Sequence, residues 1–138
     1  NVALPDAVTA VGDGAFSMNN IYKLKLSDKM TVIPSGAFSM NIRMSSITIP
    51  AGVKEIGQTA FAGARLKSLT IPKSVTKIGR KAFHLHQMKS LTIPGNVKEV
   101  GESAFEGTYK AASLEKLTIE NGVKTISGHP VLVLTNNS

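Results

Sequence analysis

Apolar and polar positions along the chain alternate in short runs that return every 22 or 23 residues. Two stretches show it best: Leu66-x-x-Leu69-x-Ile71-Pro72-x-x-Val75-x-x-Ile78-Gly79-x-x-Ala82-Phe83 and Met88-x-x-Leu91-x-Ile93-Pro94-x-x-Val97-x-x-Val100-Gly101-x-x-Ala104-Phe105. Phe16, Phe38, Phe61, Phe83 and Phe105 mark the beat, at spacings of 22, 23, 22 and 22. A fixed period of this length predicts a solenoid, in which each repeat is one coil stacked on the next. The chain divides into six coils at 1–20, 21–43, 44–65, 66–87, 88–113 and 114–138, read together as a single domain.

Each coil opens on an alternating segment: Val2/Leu4, Leu24/Leu26, Ile47/Ile49, Leu69/Ile71, Leu91/Ile93 and Leu117/Ile119. Period two predicts half-buried strands. Because every coil runs the same way round, the six segments are expected to form one parallel sheet. Proline closes four of them, at Pro5, Pro50, Pro72 and Pro94, where a missing N–H and a fixed φ turn the chain. Ser27 and Glu120 stand at that position in coils two and six. Two inward columns follow: Val8, Met30, Val53, Val75, Val97 and Val123, then Val11, Ile33, Ile56, Ile78, Val100 and Ile126. Gly12, Gly57, Gly79 and Gly101 come next, which predicts either positive φ or close approach of adjacent backbones. Stacked Phe rings are expected to fill the last corner through edge or offset contacts.

Two irregularities stand out. Val100 and Ile126 are 26 residues apart, so coil five carries an insertion near Thr108-Tyr109-Lys110-Ala111. Insertions of this kind loop out on one face. Coil six loses Ala-Phe and ends in Pro130-Val131-Leu132-Val133-Leu134, which reads as a cap over the last layer. The first coil has no such cap, which predicts an open end at Val2 and Leu4 able to pair with another chain or with missing upstream sequence. Asn1 begins inside a repeat, so the sequence reads as a piece of a longer protein.

The motif Leu-x-x-Leu-x-Ile-Pro-x-x-Val-x-x-Ile-Gly-x-x-Ala-Phe resembles the leucine-rich repeat subclass called the Treponema pallidum or BspA-like type. Coils three to five match it at almost every position, over Ile47 to Phe61, Leu69 to Phe83 and Leu91 to Phe105. Coils one, two and six are degenerate. The family usually carries Cys three residues after Phe; here those positions are Asn19, Asn41, Ala64, His86 and Thr108. The resemblance implies a leucine-rich repeat solenoid: a curved right-handed coil, a parallel β-sheet on one face, short strands and turns elsewhere, and little helix. It also implies secreted or cell-surface bacterial proteins, many used in adhesion to host matrix or microbial partners. It brings no catalytic residue and no cofactor.

Composition narrows the chemistry. There is no cysteine, which excludes disulfides and thiolate metal sites, and no apolar run is long enough to span a membrane as a helix. Sixteen basic against nine acidic residues leave a net charge of +7, which favours acidic partners. Serines lie without a His and Asp constellation, and Asp13 between Gly12 and Gly14 lacks the lysine and helix of a phosphate loop. An enzyme is not expected. His84 and His86 share a face of extended chain, with Glu106 one coil away, but a metal site needs a further good ligand and a second shell. His86 therefore reads as a packing substitute in the Cys slot, and no metal is assigned. Asn136-Asn137-Ser138 has the form of a glycosylation acceptor.

The outward strand positions form two columns: Lys25, Thr48, Thr70, Thr92, Thr118 and Lys23, Ser46, Ser68, Ser90, Lys116. A floor of hydroxyls suits hydrogen bonding to a protein strand or a glycan; Thr and Ser are equally good plain occupants of an exposed sheet. Candidate binding residues are Ser46, Thr48, Ser68, Thr70, Ser90, Thr92, Lys116 and Thr118. A second candidate, for anionic glycan or another polyanion, is basic coil four: Lys67, Lys73, Lys77, Arg80 and Lys81, with Lys89 beside it. Nucleic acid is not expected there, because no aromatics are interleaved for base stacking. The columns Glu55, Lys77, Glu99 and Gln58, Arg80, Glu102 alternate in sign and predict paired surface charges. The expected function is a non-catalytic protein-binding or adhesion module; the alternatives are a structural spacer or self-associating unit, and a polyanion binder.

Overall fold

A computed structural model describes residues 1–107 and 114–128. The insertion around Tyr109, the segment Pro130 to Leu134, His129 and Asn136 lie outside the described residues. The chain winds as a β-solenoid of about five turns, with nine short strands and no helix among the described residues. The strands are β1 (Val2–Ala3), β2 (Leu24–Lys25), β3 (Val32–Ile33), β4 (Glu55–Ile56), β5 (Lys77–Ile78), β6 (Ser90–Ile93), β7 (Glu99–Val100), β8 (Lys116–Ile119) and β9 (Thr125–Ile126). All pairing is parallel.

The single sheet expected at the Leu-x-Ile segments is interrupted. β1 pairs with β2 and β6 with β8, and an isolated bridge joins Lys25 to Thr48. Residues 68–71 belong to no strand. The continuous sheet, β3-β4-β5-β7-β9, lies on the next face, with register Ile33↔Ile56↔Ile78↔Val100↔Ile126. The second inward column is thus itself a ladder, and the alternating charges Glu55, Lys77 and Glu99 are its outward residues.

The core follows the repeat. Met30, Val53, Val75 and Val97, and Ile33, Ile56 and Ile78, are fully buried; Val100 is nearly so. The columns loosen at their ends, where Val8, Val11 and Val123 are half-buried and Ile126 is exposed. The five Phe rings form one stack, with centroids 5.4–5.6 Å apart and planes within 12° of parallel. That is the offset arrangement favoured by the ring quadrupole.

Two turns repeat in each coil. The first closes from the proline position, Val8 N–H to the Pro5 carbonyl, Val53 to Pro50, Val75 to Pro72 and Val97 to Pro94. In coil two Met30 N–H bonds the Ser27 carbonyl instead, while buried Ser27 Oγ accepts from Lys29 N–H and donates to the Asp6 carbonyl. The second turn carries Ala60 N–H to the Gly57 carbonyl, Ala82 to Gly79 and Ala104 to Gly101. Close approach, not positive φ, explains these glycines. A Cβ on Gly57, Gly79 or Gly101 would stand 2.5–2.7 Å from a backbone nitrogen of the preceding coil.

The left-handed residue falls two positions later, at Gly14, Gly36, Thr59, Lys81 and Ser103, with φ of 53–64°. A turn with φ > 0 at its third residue prefers glycine. Thr59 is β-branched and pays most for this conformation. Thr59→Gly is expected to raise stability by about 1 kcal/mol, the strain relieved exceeding the added backbone entropy of the unfolded chain. Urea unfolding checks this; a lower midpoint at unchanged slope would refute it.

Candidate binding face

The Leu-x-Ile segments set the geometry of the face. Alternation sends Ile47, Ile49, Ile71, Leu91 and Ile93 inward, leaving Thr48, Thr70, Thr92 and Thr118 outward and exposed. Ser46, Ser68, Ser90 and Lys116 are exposed beside them. The register is direct in the last pair of coils, Ser90↔Lys116 and Thr92↔Thr118.

Coil four departs from its neighbours. Cross-coil backbone bonding reaches Lys67, whose N–H bonds the Ser45 carbonyl at 2.9 Å, and resumes at Thr76, whose N–H bonds the Lys54 carbonyl at 2.8 Å. No such bond holds residues 68–71 to coil three or to coil five among the described residues. The ladder of cross-coil bonds that closes the β3-β4-β5-β7-β9 face therefore has gaps on either side of coil four here. Two hollows open into the gaps. One, of about 460 Å³, is lined by Ser46, Thr48, Ser68 and Thr70 over Ile47, Ile49 and Leu69. The other, of about 590 Å³, is lined by Thr70, Ser90, Thr92, Lys116 and Thr118, with Lys73 and Glu120 at its rim. They share Leu69, Thr70 and Pro72 and so lie side by side, a trough in two parts. All eight candidate binding residues border it. Its apolar floor, half-buried Leu69 with Ile71 and Leu91, has no signal in the sequence, where these positions read as ordinary core.

The basic residues of coil four are not gathered into one patch. Lys67 precedes the trough, Lys73 rims it, Lys77 is in β5, and Arg80 and Lys81 lie beyond that strand. Lys77 faces Glu99 at 3.9 Å, Arg80 faces Glu102 at 3.3 Å and Lys89 faces Glu115 at 3.2 Å. The predicted charge pairing is present for Lys77–Glu99 and Arg80–Glu102.

Two of the slots three residues after Phe hold polar pins, Asn41 and His86, whereas Ala64 is buried packing and Asn19 is exposed. Asn41 is fully buried. Its Oδ1 accepts from the N–H groups of Asn19 (3.1 Å) and Ile21 (2.9 Å), and its Nδ2 donates to the carbonyls of Phe16 and Phe38, both at 2.9 Å. It clamps coil two to coil one. His86, also fully buried, works forward: Nδ1 accepts from Met88 N–H at 2.9 Å, so Nε2 carries the proton and donates to the Phe105 carbonyl at 2.6 Å. Both ring nitrogens are engaged, which leaves no lone pair for a metal. His84 Nδ1 lies 3.7 Å from Glu106, too far for a hydrogen bond.

Burial pushes the His86 imidazole below its ordinary pKa; the Phe105 carbonyl opposes this, and neighbouring His84 adds to the lowering. Burial also lowers His84, against the pull of Glu106. A depressed folded-state value means that the unfolded chain takes up protons first. The associated stability is complete above pH ~6.5, the unfolded histidine value, and is lost as pH falls from there toward the folded-state value. The melting temperature is expected to drop between pH 7 and pH 5. His86→Asn, which borrows the residue of coil two, should flatten part of that slope; an unchanged slope would show that His86 does not contribute.

The stacked Phe rings and the two turns recur with the sequence repeat. A family model described as BspA type leucine rich repeat region matches residues 1–88, in six copies. The chain belongs to the BspA-type leucine-rich repeat family. A leucine-rich repeat protein from Bacteroides ovatus ATCC 8483 has a similar structure, at a TM-score of 0.75 and 28% sequence identity. The alignment covers 91% of this chain and 38% of that one, so this chain spans well under half the length of its structural neighbour. No curated protein matches. BspA-type repeats suggest a protein-interaction module, and solenoids of this kind are typically non-catalytic. Among the described residues, no helix is long and apolar enough to cross a membrane.

Proposed function

We propose that this BspA-type solenoid is a non-catalytic adhesion module of a secreted or cell-surface bacterial protein, and that it binds an extracellular protein along the Ser/Thr trough. The observation that carries the reading is the trough itself. Hydroxyls from successive coils line it at exposed positions, above half-buried Leu69 and the buried Ile and Leu side chains beside it. Such a surface offers specific hydrogen bonds and some apolar burial to one partner. Proteins of this family are often surface-associated, which fits an extracellular partner.

The test is binding of the purified protein to a panel of extracellular-matrix and bacterial surface proteins at physiological salt. Saturable binding is expected, weakened at least tenfold by Thr70→Trp with Thr92→Trp, which fill the trough. Glu55→Ala with Gln58→Ala, outside the trough, should leave it unchanged. Binding indifferent to the Trp pair would remove the trough from the proposal.

A second reading is a spacer or self-associating unit. It rests on β1, which pairs with β2 alone among the described residues. Light scattering across a concentration series distinguishes it: a mass independent of concentration would dismiss self-association.

A further inference from the structure

In coils two to six the outward positions of the Leu-x-Ile segments are all Ser, Thr or Lys, without one carboxylate or aromatic. Every one of these side chains donates a hydrogen bond, and the lysines only donate. The neighbouring β3-β4-β5-β7-β9 face is different, carrying both signs and pairing them. Among the acids near the face, Asp6 lies 4.0 Å from Lys25 and Glu115 pairs with Lys89, while Glu120, which lines the larger hollow, accepts the Gly95 N–H at 3.1 Å. Lys73 and Lys116, both lining the larger hollow, have no ion-pair partner among the described residues. In the larger hollow Lys73 and Lys116 outnumber the single carboxylate, Glu120, so the face carries excess positive charge beside half-buried Leu69.

We infer that the segment recognised by this trough is a short, extended, acidic stretch of polypeptide, its carboxylates held by Lys73 and Lys116 and at least one apolar side chain seated over Leu69 and Leu91. The inference rests on the reading of the trough as a protein-binding face and adds the chemistry of the partner. Carboxylates are the acceptors that answer a surface of hydroxyl and ammonium donors, and charge-assisted bonds are the stronger kind. The apolar floor rewards a peptide side chain, whereas a sulfated glycan would bring nothing to cover it. The face also lacks the aromatic platform on which sugar rings stack. Length follows from the geometry. From Ser46 to Thr118 there are three coil-to-coil steps of about 5 Å or more each, roughly 15 Å in all, which about five extended residues span.

The experiment is selection of phage-displayed random 12-residue peptides on the immobilised protein at physiological salt. Synthetic copies of the enriched peptides are then titrated against the wild type, Lys73→Gln with Lys116→Gln, and Thr70→Trp with Thr92→Trp. Low-molecular-weight heparin is titrated in parallel as a polyanion probe. Expected are peptides rich in Asp and Glu with an interspersed apolar residue, losing at least tenfold in affinity to both double variants and to Asn/Gln replacement of their own acids. Neutral or basic peptides weakened by the Trp pair but not by the Gln pair would overturn the acidic specificity while leaving the protein-binding face in place. Heparin binding lost in the Gln pair, with no acidic peptide bound, would overturn it in favour of a glycan. Peptides indifferent to the Trp pair would overturn the face and this inference together. All variants change exposed side chains, and circular dichroism confirms that they fold.

Discussion

Phe83→Ala is expected to destabilise the protein by about 4 kcal/mol, the middle of the range for deleting a fully buried ring. Phe83 sits inside the stack, 5.4 Å from both Phe61 and Phe105 and within 8° of parallel to each. The substitution therefore removes two ring contacts as well as the buried area, and the contacts are worth about 0.5–1.5 kcal/mol each. Ala82 beside it is fully buried, and its backbone is tied to both neighbouring coils through the Phe61 and Phe83 N–H bonds. The site has little freedom to collapse, which keeps the cost away from the lower end of its range. Nearest-neighbour coupling in a solenoid should spread the loss along the chain. Urea unfolding followed by circular dichroism gives the number. Phe16→Ala is the control: Phe16 is half-buried and stacks on one ring only, at 5.6 Å, so its loss should be clearly smaller. Equal losses at the two positions would contradict the stack as the source of the effect.

Asn41→Leu should be comparably damaging although it makes a buried position more apolar. The amide satisfies two backbone N–H groups and two carbonyls at once, across two coils. Leucine fills similar volume and leaves those groups without their partner. An unsatisfied buried polar group costs about 1–3 kcal/mol, so even two of the four give a loss of about 4 kcal/mol. Against a typical domain stability of about 5–15 kcal/mol, that is enough to loosen coil one from the rest. Hydrogen exchange would show the loosening directly. The Asn19 and Ile21 amides should lose protection first, while those of Phe61 and Phe83, bonded to the Ala82 and Ala104 carbonyls, keep it. Uniform loss of protection along the chain, or a Leu variant as stable as the wild type, would show that Asn41 is not a local clamp.

The Cys slot shows how far a motif reaches. Its position three residues after Phe was legible from the repeat, as was the substitution of Asn, Ala or His. That Asn41 reaches back to the Phe16 carbonyl, while His86 reaches forward to Phe105, was not. Both ties depend on side-chain direction relative to a neighbouring coil, which the repeat period does not encode. The glycines gave a similar lesson. Gly57, Gly79 and Gly101 announced themselves as special positions, yet the left-handed residue in each turn is Thr59, Lys81 or Ser103. Backbone strain tolerated by the stacking hides behind ordinary residue types.

What the sequence determined by itself is the coil: the period, the Phe stack, the buried Val and Ile columns, and the outward Ser/Thr rows. These follow from alternation and spacing, because burial in a stacked repeat is a local property copied from coil to coil. What only the tertiary structure decided is where the coils close on one another. Ser68-Leu69-Thr70-Ile71-Pro72 and Ser90-Leu91-Thr92-Ile93-Pro94 are the same five residues. The second forms strand β6 against Lys116–Ile119; the first forms none and opens the trough instead. A strand exists only where a neighbouring backbone stands at hydrogen-bonding distance, and that distance is set by the stacking of whole coils, not by the residues within one.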